Sequence, residues 1–284
     1  MAGDGITQAV FAAANAGPSF FTSISYDNSR YDTGSHVDVQ GLSILLGAAY
    51  GVDVSIGRFT IGAFFELGDG DYDSYNDFTG FAAVRGKGNT EYVGGGLLAR
   101  LDFAKSESGF TYTEASFRAG RASVDFRSDE FWTGYRYDFD STYYGFHVGL
   151  GHVFNITDST SLDLYGKWLY THQGGNEYIA YGERISFDDV NSHRVRAGLR
   201  LTTEITDTVK PYFGVAYEHE LDGKAKAWVR DIPIDVPELK GGSGIGELGI
   251  SVTATEGLTL DIGVRGYAGT RRGINGTMNL TYNF

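Results

Sequence analysis

Residues 277–284 read Thr277-Met-Asn-Leu-Thr-Tyr-Asn-Phe284, and the alternation in them has no error. Met278, Leu280, Tyr282 and Phe284 fall on one face, and Thr277, Asn279, Thr281 and Asn283 on the other. Side chains of a strand point to opposite faces at period two, so this is a strand with one oily and one polar side. Working back along the chain, residues 258–265 repeat the pattern, with Leu258, Leu260, Ile262 and Val264 opposite Thr259, Asp261, Gly263 and Arg265. So do Leu248, Ile250, Val252 and Ala254, then Val195, Ala197, Leu199 and Leu201, then Phe59, Ile61, Ala63, Phe65 and Leu67. Helical periodicity fails in each window.

Short polar connections recur near Val54, Glu107, Thr157, Asp207 and Glu256, about fifty residues apart, which is an internal repeat. Between them lie longer Asp/Gly/Tyr-rich segments at 68–89, 123–142, 172–192 and 222–244, read here as loops, with shorter ones at 27–37 and 269–276. Each repeat is then a long hairpin, and the strand count is about twelve. A β-propeller also has blades of that length, but with turns every ~8–12 residues. A membrane-crossing strand needs about 9–11 residues, and outer-membrane barrels combine short periplasmic turns with long outer loops. The apolar face is nearly continuous, whereas the other carries glycine, Ser/Thr and ions of both signs. The ions expected inside a wet lumen are Arg58, Glu66, Glu114, Arg118, Asp163, Arg194, Arg196, Arg200, Glu218, Glu220 and Arg265; facing lipid they would be costly. The expected fold is all-β: a twelve-stranded antiparallel transmembrane β-barrel. Aromatics near strand ends (Tyr50, Phe59, Phe103, Phe154, Tyr282, Phe284) suit an interfacial girdle.

Composition agrees by exclusion. Net charge of −13 argues against nucleic acid, and the absence of cysteine removes disulfides, cysteine metal sites and thiol nucleophiles. No run reaches the roughly eighteen apolar residues of a spanning helix. The first residues, Met-Ala-Gly-Asp-Gly, show no cationic region ahead of an apolar one. Residues 6–16, Ile-Thr-Gln-Ala-Val-Phe-Ala-Ala-Ala-Asn-Ala, break the β pattern and read as a helix stopped by Gly17-Pro18. Such a helix, with Ile6, Phe11 and Asn15 on it, is about 16 Å long and slim enough to stand in the lumen. The division expected is 1–18 as linker and pore helix and 19–284 as barrel.

These residues resemble the C-terminal translocator domain of autotransporters, the β-domain of type V secretion. The stretches that carry the resemblance are Ser29-Arg-Tyr-Asp-Thr-Gly-Ser-His36, Gly62-Ala-Phe-Phe-Glu-Leu-Gly68, Tyr112-Thr-Glu-Ala-Ser-Phe-Arg-Ala-Gly-Arg121, Leu162-Asp-Leu-Tyr-Gly-Lys167, Arg194-Val-Arg-Ala-Gly-Leu-Arg200, Ala216-Tyr-Glu-His-Glu220 and Gly266-Tyr-Ala-Gly269 onward to Phe284. The resemblance covers nearly the whole chain. It implies a helical linker in the pore, a covalent upstream passenger carried to the cell surface, and residence in the bacterial outer membrane among lipid and lipopolysaccharide. It also implies that Tyr282 and Phe284 form the terminal signal read by the barrel-assembly machinery. With neither leader nor passenger in view, the chain reads as an isolated translocator region. No cofactor, metal or nucleic-acid partner is expected.

Other readings of these residues fit less well. A passive porin lacks the N-terminal helix, and a soluble propeller needs no membrane. A membrane-embedded hydrolase would use some of the histidines, but His36, His147, His172, His193 and His219 show no nucleophile, base and orienting acid together. Asp69, Asp71, Asp73 and Asp77 match a calcium loop only at its first positions, since Ser74 and Gly80 stand where glycine and glutamate belong, and the run reads as a solvated outer loop. Gly94-Gly-Gly96 reads as strand glycine beside a crowded lumen. Some relatives cut their own linker with pore acids and an asparagine. Asn15, with Glu66 or Glu114, is the corresponding expectation here.

Overall fold

A computed structural model describes residues 17–77, 83–130, 135–180, 182–229, 232–234 and 238–284. The expected helix, with Ile6, Phe11 and Asn15, lies outside the described residues. Among these the chain forms strands β1 (Gly17–Asp32), β2 (His36–Val54), β3 (Gly57–Asn76), β4 (Val84–Phe103), β5 (Gly109–Ser128), β6 (Tyr135–Thr157), β7 (Thr160–Gln173), β8 (Asn176–Ala180), β9 (Glu183–Phe187), β10 (Val190–Thr203), β11 (Val209–Glu220), β12 (Ala227–Val229), β13 (Ile232–Ile234), β14 (Gly241–Thr255), β15 (Leu258–Gly269) and β16 (Arg271–Asn283). Twelve of them close an antiparallel barrel, in the order β1, β2, β3, β4, β5, β6, β7, β10, β11, β14, β15, β16 and back to β1. Closure runs through β1 and β16, from Ser19 opposite Asn283 to Tyr31 opposite Arg271. It removes the unpaired edges that hydrocarbon would not tolerate. A propeller is excluded.

The five expected short turns are present, between β2 and β3, β4 and β5, β6 and β7, β10 and β11, and β14 and β15. At Glu256-Gly257 the backbone takes φ +87° at Gly257, a conformation open to glycine at no steric cost. Both chain ends of the barrel lie at this same rim, where the Phe284 amide donates to the Pro18 carbonyl (3.2 Å). The rings of Phe20, Tyr282 and Phe284 pack edge to face there.

The expected loops are corrected, the shorter ones included: β1 runs to Asp32 and β2 starts at His36, while β15 runs to Gly269 and β16 starts at Arg271. The Asp/Gly/Tyr-rich segments 68–89 and 123–142 are mostly strand: β3 runs to Asn76 and β4 starts at Val84, while β5 runs to Ser128 and β6 starts at Tyr135. Asp69, Asp71 and Asp73 therefore stand on the outer face of β3 and not in a loop. Within 172–192 and 222–244, strands β8, β9, β12 and β13 make a second, four-stranded sheet at the long-loop end.

The outward side chains of the barrel form an apolar belt. On β16 it holds Ile274, Met278, Leu280, Tyr282 and Phe284, and on β15 Ile262 and Val264, all exposed. From Ile274 to Phe284 a strand tilted as in small barrels rises about 25 Å, the height of the hydrocarbon band. Tyr50, Phe59, Phe103, Phe154, Tyr282 and Phe284 all point outward at the short-turn rim.

Candidate functional site

The inward face is where the chain's ions collect. Asp27, Glu66, Arg100, Asp102, Glu114, His147, Asp163, Lys167, Arg196, Glu218, Glu220, Glu247, Arg265 and Arg271 are all buried. Buried charges persist only when paired. Glu114 accepts from Lys167 Nζ at 2.7 Å and Arg100 at 3.2 Å, with His147 Nε2 3.2 Å away. Arg100 also reaches Asp102 at 2.8 Å, and its guanidinium stacks over the Tyr112 ring at 3.9 Å. Tyr112 in turn donates to Asp163. Glu247 holds Arg200 (2.6 Å) and Arg265 (2.8 Å), Glu218 holds Arg196 (2.6 Å), and Glu66 accepts from Tyr143 (2.7 Å). Asp27 pairs with Arg271 across the closing seam.

Strand register and glycine decide which charges meet. Glu114 on β5 is opposite Gly149 on β6, which is opposite Lys167 on β7. The two ionic side chains meet over the glycine, where an added Cβ would lie 2.8 Å from Glu114 Cγ. The same device joins Arg200 to Glu247 over Gly214. Tyrosines use it too: at Gly151 a Cβ would come within 2.4 Å of the Tyr112 ring, and at Gly249 within 2.2 Å of the Tyr212 ring. Here lies the physical use of many of the 41 glycines.

Of the residues singled out from sequence, Glu66, Glu114, Asp163, Arg196, Glu218, Glu220 and Arg265 are buried on the inner face, and Arg118, Arg194 and Arg200 are mostly buried there. Arg58 stands apart at the short-turn rim, paired to Asp53 at 2.8 Å. Sequence reading missed Asp27, Arg100, Asp102, Lys167 and Arg271, and left Glu247 out of the lumen set although it precedes Leu248 on the polar face; Lys167 stood in a stretch already quoted, where parity would have found it. It also missed an apolar patch inside the lumen: Phe21, Leu45, Ala49, Phe64 and Leu98 cluster on the inner face of β1–β4. The lumen wall is therefore not polar throughout. Glu66 and Glu114, the acids considered for linker cleavage, are both held by cations.

The space inside is uneven. Around Asp163, Lys167, Arg196, Arg200 and Glu247 the cavity is only about 20 Å³, room for a water. Separate cavities lie toward the long-loop end, of about 400 Å³ beside Tyr72, Tyr92 and Tyr143 and about 270 Å³ beside Arg194, Glu220 and Arg271. Outside the membrane-spanning part, hydrogen bonds from Arg30 and Arg58 hold the carboxyls of Asp38 and Asp53 below the ordinary carboxylate range.

A closed twelve-stranded barrel with an oily belt outside and paired ions inside defines an outer-membrane barrel. A family model, the autotransporter beta-domain, matches residues 20–265, and the chain belongs to that family, the outer-membrane translocators of bacteria. Among solved structures it is similar to the transport unit of the autotransporter AIDA-I from Escherichia coli (TM-score 0.79, 14% identity, 99% of this chain and 98% of that one). It is also similar to the beta domain of the Bordetella autotransporter BrkA (0.72, 17%, 95% and 100%) and to the translocator domain of NalP from Neisseria meningitidis (0.70, 13%, 100% and 96%). No curated protein matches the chain.

Proposed function

We propose that this barrel carries an upstream passenger, covalently continuous with residues 1–18, to the bacterial surface or anchors it there, and that residues 6–16 remain in the pore as a helical plug. The work is physical and not catalytic. The closed shell satisfies every backbone group in lipid, the ionic lumen tolerates a hydrated chain, and the plug limits leakage afterwards. The supporting observation is the inner face itself, where Glu114 is held by Lys167 and Glu247 by Arg200 and Arg265, so the wall presents paired ions to a passing chain. Deleting residues 6–16 is expected to raise single-channel conductance in planar bilayers; unchanged conductance would count against a plug.

The partners of this reading are outer-membrane lipid, lipopolysaccharide and the barrel-assembly machinery. Tyr282 and Phe284 would be the signal that the machinery reads, since both project outward at the free end of the last strand. Phe284→Asp is expected to cut the folded fraction in cells severalfold, seen as loss of heat-modifiable gel migration. Normal migration would remove the targeting role.

A further inference from the structure

Above the apolar belt, the outer wall carries a row of cations that chain transport does not use. Lys87 on β4, Arg127 on β5 and Arg136 on β6 stand directly opposite one another across three adjacent strands. All three are exposed, while their neighbours Gly86 and Ser128 are buried, so the three point outward. Side chains so placed start about 5 Å apart, and like charges there destabilise the sheet. Three other exposed cations at this end are paired: Arg30 with Asp38, Arg85 with Glu130, Arg272 with Asp32. Among the described residues Lys87, Arg127 and Arg136 make no ion pair, not even Lys87 with Asp73 opposite it. Asp125, two residues from Arg127, instead accepts from the Asn89 amide. The connections between these strands, 77–83 and 129–134, carry Asp77, Asp129 and Glu130; Glu130 is held by Arg85, and none of the three acids forms an ion pair with the row.

The height of the row suggests what neutralises it. On β5 the outward apolar positions end at Phe117 and Ala119, and on β6 at Tyr144. Arg127 lies eight residues beyond Ala119, about 20 Å above the hydrocarbon edge for a strand tilted as in small barrels. That is the layer of headgroup sugars in a glycolipid leaflet. We propose that Lys87, Arg127 and Arg136 form a docking surface for the phosphorylated core sugars of outer-leaflet lipopolysaccharide. The proposal rests on the translocator reading above, with the short turns in the periplasm as in other outer-membrane barrels. Two guanidinium forks match phosphate oxygens in pairs, and the lysine adds a point charge. The rows beneath carry Glu91, Asp125, Asp138 and Asp140 outward, so a phosphate is attracted at one height and repelled just below it.

The test uses the full chain refolded in detergent micelles at about 0.15 M salt. It is titrated with lipopolysaccharide carrying a phosphorylated core and with the same glycolipid after core dephosphorylation. The triple variant K87Q/R127Q/R136Q is expected to bind the phosphorylated form roughly tenfold more weakly or worse, with wild type losing as much on the dephosphorylated form. R272Q, which removes a cation already paired on the same rim, should change affinity by less than about twofold. Equal affinity of triple variant and wild type would overturn the proposal, as would equal wild-type binding of both glycolipids. Full competition by equimolar inorganic phosphate would overturn it as well, as the mark of a small-anion site. Heat-modifiable migration shows whether the triple variant folds; if it does not, R127Q alone, with an expected loss of threefold or so, carries the test. Conductance and migration report on the translocator reading separately, so either idea can fail alone.

Discussion

Glu114→Gln is expected to destabilise the barrel by about 3–5 kcal/mol, the usual cost of removing one partner from a buried ionic cluster. The side chain keeps its shape but loses the charge that holds Lys167 at 2.7 Å and Arg100 at 3.2 Å. Arg100 retains Asp102, so Lys167 bears most of the loss. The measurement is the urea midpoint of the refolded barrel followed by tryptophan fluorescence. The double variant Glu114→Gln/Lys167→Met should recover part of the loss, since it also removes the cation that Glu114 neutralised. A single-variant effect below about 1 kcal/mol would mean that solvent reaches the cluster and screens it.

The second large effect lies on the other face. Met278 is opposite Ile24 on β1 and Ile262 on β15, in the middle of the apolar belt. Met278→Arg is expected to cost about 2–4 kcal/mol in a bilayer, the range for a cation at the midplane of a barrel's lipid face. Met278→Leu should cost almost nothing, because it exchanges one apolar side chain for another of similar volume. If arginine is tolerated in lipid vesicles as well as leucine is, hydrocarbon does not touch that position.

Both predictions depend on knowing which way a side chain points, and that much was legible in the sequence. Residues 258–265 and 277–284 assign their own faces by parity, and the short turns assign the ends. What parity cannot show is partnership across strands. Glu114 and Lys167 are 53 residues apart, and they meet only because register brings Gly149 between them. The patch of Phe21, Phe64 and Leu98 was hidden for a related reason: an aromatic on the inner face of a strand looks like noise until neighbouring strands bring others beside it. The upper halves of β3 to β6 read as loops in the sequence because Asp, Gly, Ser and Tyr stand on both faces there, outside the lipid. With water on the outer face, alternation of oil and polarity disappears although the hydrogen-bonded ladder continues, from Asp71 opposite Asn89 up to Asn76 opposite Val84. The small sheet of β8, β9, β12 and β13 escaped notice because strands of three to five residues leave too short a pattern.

The chain has no cysteine, so single-cysteine spin labels along residues 258–265, with the barrel in lipid vesicles, test the medium around it directly. Collision with oxygen should peak at Leu260, Ile262 and Val264 and collision with a water-soluble nickel chelate should be lowest there, alternating with Asp261 and Arg265. Shielding of the even positions from both reagents, together with free access of nickel to labels at Arg196 and Glu218, would place the oily row in a protein core and contradict the barrel in its membrane.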